Sequence, residues 1–188
     1  MTTEPDLERT IPLKEIDQLI LKKQVDFKFT LADAILFLLY SDRKPIRGKI
    51  RQQKEVFLAL KLVLDKVPIQ KIVFKKHRFG PYSEEVDDTI DQLVFANYVE
   101  VRGKKTTNQF AIKISPIGMN YIKDKFGELP PEIQEDLKKN RERWDTHTTE
   151  GILNVVYTHF PEYLENSVLK NRYEHLDWSN DKQVSSKK

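Results

Sequence analysis

Apolar residues recur at helical spacing through most of this chain, and only two short stretches alternate. Leu13, Ile16, Leu19 and Ile20 fit a short amphipathic helix ending near Gln24, after a polar arm that holds Pro5 and Pro12. Leu31, Ala34, Ile35, Leu38 and Leu39 run apolar nearly all round, which predicts a buried central helix. Thr30, with Asp33 three residues on, gives it a capping-box start. Pro45 disfavours helix at Lys44, so a break is expected there. A long helix should then span residues 47–65, with Ile50, Phe57, Leu60 and Leu64 on one face and Pro68 closing it.

Residues 73–79 read as a short strand leading into Arg78-Phe79-Gly80-Pro81-Tyr82-Ser83. Gly80 permits a positive φ, Pro81 fixes its own, and Ser83 is placed to cap a helix opened by Glu84 and Glu85. Val86, Ile90, Leu93 and Val94 give that helix one buried face, ending at Asn97. Val99 and Val101, then Phe110, Ile112 and Ile114, alternate around a loop of Gly, Lys, Thr and Asn, the pattern of a β-hairpin. Ser115-Pro116 starts another helix packed through Met119, Ile122 and Phe126. Beyond Pro130-Pro131 a highly charged helix carries only Ile133, Leu137 and Trp144 as its apolar stripe. Thr148 or Thr149 caps a further helix broken at Pro161, and Tyr163, Leu164, Val168 and Leu169 suggest a last one.

The order of elements predicts an α+β, mainly α fold: a winged helix-turn-helix core with an N-terminal helix and a C-terminal helical extension. The expected divisions are an arm and helix over 1–29, a winged-helix domain over 30–127, a helical extension over 128–178 and a disordered tail over 179–188. At 188 residues, one core with appendages is the natural arrangement. The absence of cysteine excludes disulfides, thiolate zinc sites and cysteine nucleophiles, which suits a reducing cytoplasm. No signal peptide opens the chain, and its most apolar run, residues 31–40, is about half the ~20 residues a bilayer span needs, so no membrane partner is expected.

Three segments together resemble a known family. Arg47-Gly48-Lys49-Ile50-Arg51-Gln52-Gln53-Lys54-Glu55-Val56-Phe57-Leu58, Phe79-Gly80-Pro81-Tyr82-Ser83-Glu84-Glu85-Val86, and His159-Phe160-Pro161-Glu162-Tyr163 through Asn166-Ser167 look like the YwgA-like winged-helix proteins. They are similar, more distantly, to the Panacea domain of SocA-type antitoxins. The resemblance covers residues 30–172, departing at Gln52, where a leucine is the pattern, and at Arg78-Phe79, where a tyrosine is commoner. It implies a winged helix associated with regulation or toxin neutralisation, with no catalytic residues to carry over.

Net charge is only +3, so clustering carries the information. Arg43, Lys44, Arg47, Lys49, Arg51 and Lys54 form a run with no acidic residue between positions 43 and 54. Lys75, Lys76 and Arg78, with Arg102, Lys104 and Lys105 of the hairpin, form a second basic set. Both are candidates for phosphate contact, which fixes position on nucleic acid and reads little sequence. The helix after Ser83 instead carries Glu84, Glu85, Asp87, Asp88 and Asp91 and no Lys or Arg, so it opposes entry into a phosphate-lined groove and is a candidate protein-docking face. Asp87-Asp88-Thr89-Ile90-Asp91 spells an aspartate-rich pattern, but Mg²⁺ needs convergent carboxylates and substrate phosphates, and the single helix face offers neither. His77, His147, His159 and His175 lack metal-ligand spacing. No metal, cofactor or enzymatic constellation is therefore expected. The leading expectation is a cytoplasmic regulator or antitoxin-like factor that binds double-stranded DNA through phosphates. Its separated patches of opposite sign suit a homodimer, an interface that Trp144 and Trp178 would anchor if they do not instead close the last helices on the core. The alternative is a protein-interaction module that uses the acidic helix.

Overall fold

The computed structural model describes residues 27–104, 107 and 109–173. The helix expected over 13–24, Lys105, His175, Trp178 and the tail over 179–188 lie outside the described residues. The fold is α+β and mainly helical, with two small antiparallel sheets. Helix α1 (Leu31–Asp42) is central, with Leu36, Phe37 and Leu38 fully buried. Its start is the expected capping box: Thr30 Oγ1 accepts from the Asp33 N–H at 3.2 Å, and the Asp33 carboxylate accepts from the Thr30 N–H at 3.0 Å. Arg43, at φ 59°, closes it.

Strand β1 (Ile46–Arg47) pairs with β5 (Ala111–Ile114), and Gly48, at φ +83°, turns the chain into α2 (Lys49–Leu58). Arg47, expected in the helix, is therefore a strand residue, because its backbone pairs opposite Ala111. The last turn of α2 widens into a π-helical segment, Ala59–Val63, where the Leu64 N–H reaches the Ala59 carbonyl at 2.8 Å. The strand expected over 73–79 is shorter, β2 (Lys75–His77), and the Gly80-Pro81-Tyr82 sequence, expected only to lead into the next helix, is itself strand β3 (Gly80–Tyr82), its hairpin partner. Helix α3 (Glu84–Phe95) follows, and Asn97, at φ 60°, turns the chain into β4 (Val99–Arg102). The Ser83 side chain does not cap α3 as expected, and the Ser83 backbone is bonded by Gln53.

The larger sheet runs β1-β5-β4, with Ile46, Ile112 and Val101 in register. Ser115 caps α4 (Pro116–Gly127) by accepting from the Gly118 N–H at 2.9 Å. A Cβ on Gly118 would lie 2.2 Å from the Tyr98 carbonyl oxygen, so this close approach requires glycine. Helix α5 (Pro131–Asp145) leads to α6 (Thr149–His159), capped by Thr148, then a 3₁₀ turn (Pro161–Tyr163) and short α7 (Lys170–Tyr173). The last helix expected through Val168 and Leu169 is thus mostly turns, because the Val168 N–H is taken by the Arg78 carbonyl at 2.9 Å.

One apolar cluster joins these parts: Phe37 and Phe57 share it with Leu137, Trp144, Ile152 and Val156. The Phe57 ring meets Phe74, Phe160 and Tyr163 edge-on at 5.0, 4.8 and 5.1 Å, so α2 is held by the segments before the hairpin and after α6. Trp144 is buried in this cluster, closing α5 on the core. Removing the α1 cap tests the local reading: Thr30→Ala should lower stability by about 1 kcal/mol, measured as a shift of the urea midpoint with an unchanged denaturant slope.

Candidate functional site

Four consecutive polar residues of α2, Gln52, Gln53, Lys54 and Glu55, are each no more than 2% exposed. Buried polar groups must find partners; Gln52 reaches the Ile46 carbonyl at 3.5 Å and Glu55 is bonded by Arg51, while the partners of Gln53 and Lys54 lie far along the chain. The Gln53 side-chain amide pairs with the backbone of Ser83 twice over, accepting from its N–H at 3.0 Å and donating to its carbonyl at 2.9 Å. The same NH₂ donates to Asp87 Oδ1 at 2.8 Å. Lys54 Nζ donates to the Pro81 carbonyl at 2.6 Å. Gly80, at φ +80°, lies where a Cβ would come within 3.2 Å of Tyr157, whose hydroxyl meets Ser167 Oγ at 2.8 Å. The Gly80–Ser83 stretch is thereby gripped by α2 on one side and by α6 and its following turn on the other.

Beside this grip lies an ionic cluster. Arg51 binds Glu55 through Nε at 3.0 Å and Nη2 at 2.8 Å, and donates to the Trp144 and His147 carbonyls at 3.0 and 2.9 Å, closing the end of α5. Arg141, fully buried, stands 3.4 Å from Glu55 and 3.5 Å from Asp145. Burial pushes the Glu55 carboxyl above its ordinary range, against the opposing pull of Arg141 and Arg51. Truncating one member of such a buried set costs about 3–5 kcal/mol, because a charge is left uncompensated.

Two of the candidate phosphate-binding residues are therefore corrected. Arg51 and Lys54 turn inward, their heads engaged by internal carbonyls and carboxylates. Lys49 is exposed but its amine sits 2.7 Å from Asp87. Lys44 faces Asp42 at 3.3 Å and Asp145 at 3.9 Å, while Arg43 lies over the Tyr40 ring. Lys75 stands 3.6 Å from Glu84, Lys76 pairs with Glu165, and Arg78 covers the Phe79 ring. Arg47 and Arg102 both pair opposite Ala111 from its two neighbouring strands, so the pleat puts their side chains on one face of the sheet, with exposed Lys104 at the loop.

The acidic set also divides. Asp87 is drawn into the grip: burial raises its affinity for a proton, but hydrogen bonds from Lys49, Gln53 and Tyr82 outweigh this and hold it below the ordinary carboxylate range. It is corrected from a docking residue to an internal one. Glu85 accepts from Gln70 at 2.6 Å, while Glu84, Asp88 and Asp91 line the exposed side of α3. Burial and the bond to Asp87 push the Tyr82 hydroxyl up to about 12. The sequence reading missed the inward-facing quartet, although an uninterrupted polar run between Ile50 and Val56-Phe57-Leu58 in a core helix was its visible signal.

A cleft of about 580 Å³ opens between the first turns of α2 and the β2–β3 hairpin. Lys49, Lys54, Lys75, Lys76, His77, Phe79, Tyr82 and Glu84 line it, with Ile50 and Gln53. Among the described residues, no group of three or more His, Asp or Glu is placed to hold a metal ion, and no helix is long and apolar enough to cross a membrane. Comparison with family models, with curated proteins and with solved structures gives no match to this chain.

Burial lowers the Lys54 amine from 10.5 to about 7, partly opposed by the charge of Asp87. Between these two values the unfolded chain holds a proton that the folded protein has released, so stability should rise with pH from about 7 to 10.5. Urea midpoints across this range should show the rise in the unmodified protein and its loss in Lys54→Met.

Proposed function

We propose that this chain is a non-enzymatic, cytoplasmic winged-helix protein, regulatory or antitoxin-like in role, whose α3 docks on a protein partner. The winged-helix part is supported by the order of helix, short strand, helix, the small β2–β3 hairpin, helix and a second hairpin, with β1 completing the second hairpin's sheet. The carrying observation for protein docking is the outer side of α3. It presents Glu84, Asp88 and Asp91 and ends in Phe95, whose side chain is 90% exposed. Just past it, Tyr98 stacks on Tyr121 at 4.6 Å, and α4 adds Ile117, 56% exposed. Exposed aromatic and aliphatic side chains on and just past a carboxylate-bearing helix suit a partner that offers apolar side chains and basic charge. This face opposes a DNA groove, where the same carboxylates would meet phosphates.

Phosphate contact keeps a second reading through the shared sheet face of Arg47 and Arg102, with Lys104 beside it. It would give salt-sensitive binding with little sequence preference.

A photo-crosslinking amino acid at position 95 separates the readings. In cells it should trap one discrete protein, with the same group at exposed position 139 of α5 trapping none, and Asp88→Asn with Asp91→Asn should cut the yield. No adduct, together with low-salt duplex DNA binding that is lost on Arg102→Glu and Lys104→Glu, would overturn protein docking in favour of the wing.

A further inference from the structure

We infer that the cleft between α2 and the β2–β3 hairpin is a binding site for a nucleoside monophosphate or a closely similar phosphorylated ring compound. Its volume, about 580 Å³, is within the range of small-molecule sites, roughly 300–1,000 Å³. Its exposed rim favours an anion through Lys75 and Lys76, which stand beside His77; of the other two lysines that border it, Lys54 is bonded to the Pro81 carbonyl and Lys49 sits 2.7 Å from Asp87. A strongly charged phosphate can displace two exposed pairs, Lys75 with Glu84 at 3.6 Å and Lys76 with Glu165, since surface pairs of this kind contribute little. Lysine ammonium groups serve as point charges for phosphate.

The walls select a ring. Phe79 and Tyr82 border the same space, and the His77 imidazole lies 5.1 Å from the Tyr82 ring, tilted by 36°, so flat surfaces stand beside the cationic rim. Base stacking on such side chains is tolerant of base identity, which suits a class of ligands better than one base. The cleft is also held in shape without a ligand. Gln53 and Lys54 bond the backbone of Ser83 and Pro81, and Tyr82 donates to Asp87 at 2.9 Å, so little ordering remains to be done on binding. The cleft shares Glu84 with the exposed side of α3, and binding there does not depend on protein docking at Asp88, Asp91 and Phe95.

Titration of the full chain with adenosine 5′-monophosphate, followed by amide chemical shifts, tests this. Saturable shifts should centre on residues 49–54 and 75–84, with affinity well above that for inorganic phosphate or for adenosine. Lys75→Gln with Lys76→Gln should weaken binding by about tenfold or more through lost charge-assisted contacts, and Lys138→Gln with Lys139→Gln on α5 should leave it unchanged. The shift map in the unmodified protein guards against a variant that fails to fold. The inference is overturned by no saturable shift at these residues, by equal binding of phosphate or adenosine alone, or by a folded Lys75→Gln, Lys76→Gln variant that binds as before.

Discussion

A backbone that turns inside a protein must have its N–H and C=O groups bonded, and the rest of this structure depends on how that need is met at Pro81 and Ser83. Side chains of α2 supply the bonds: the Gln53 amide pairs with Ser83 and the Lys54 amine with Pro81. The solution carries its own cost, because burying a lysine disfavours its charge and lowers its proton affinity to near neutrality. Removing either side chain would leave buried backbone groups unbonded, a larger loss than the bonds themselves contribute. The gripped end of β3 therefore fixes where α3 begins, and the Tyr157–Ser167 contact behind Gly80 carries the same constraint into the C-terminal segments.

Local chemistry was legible in the sequence wherever its partners were close along the chain. The Thr30–Asp33 box, the Ser115-Pro116 start and the cap expected at Thr148 or Thr149, found at Thr148, rest on contacts within a few residues, and the larger hairpin pairs two strands adjacent along the chain. Failures came where the partner was distant. Gln53 and Ser83 are 30 residues apart, and Arg51 and Trp144 are 93 apart, so a basic run that looks like surface is partly interior. Ser83 is of a type that caps helices, yet its side chain makes no cap bond, and the partner of its backbone is a distant glutamine. The Gly80-Pro81-Tyr82 strand was hidden because glycine and proline signal a turn, whereas here the pairing with Lys75, Lys76 and His77 sets the conformation.

The candidate surfaces changed for the same reason. With Arg51 and Lys54 internal and Lys49 bound to Asp87, the start of α2 presents less free positive charge than its sequence suggests. The sheet face of Arg47 and Arg102, with Lys104, presents positive charge outward, while the outer side of α3 keeps its carboxylates and the exposed Phe95 ring. Both surfaces stand on one cluster of buried residues, so each is presented by a rigid base.

The grip of α2 on the turn is tested most directly by native-state hydrogen exchange at the Ser83 amide, whose proton is donated to Gln53. Ser83 should exchange as slowly as the buried amides of α1 around Phe37, through global unfolding, and Gln53→Leu should release it to rapid local exchange. Exchange at Ser83 in the unmodified protein as fast as in the exposed loop at Lys104 would contradict the grip, and with it the claim that the turn organises the fold.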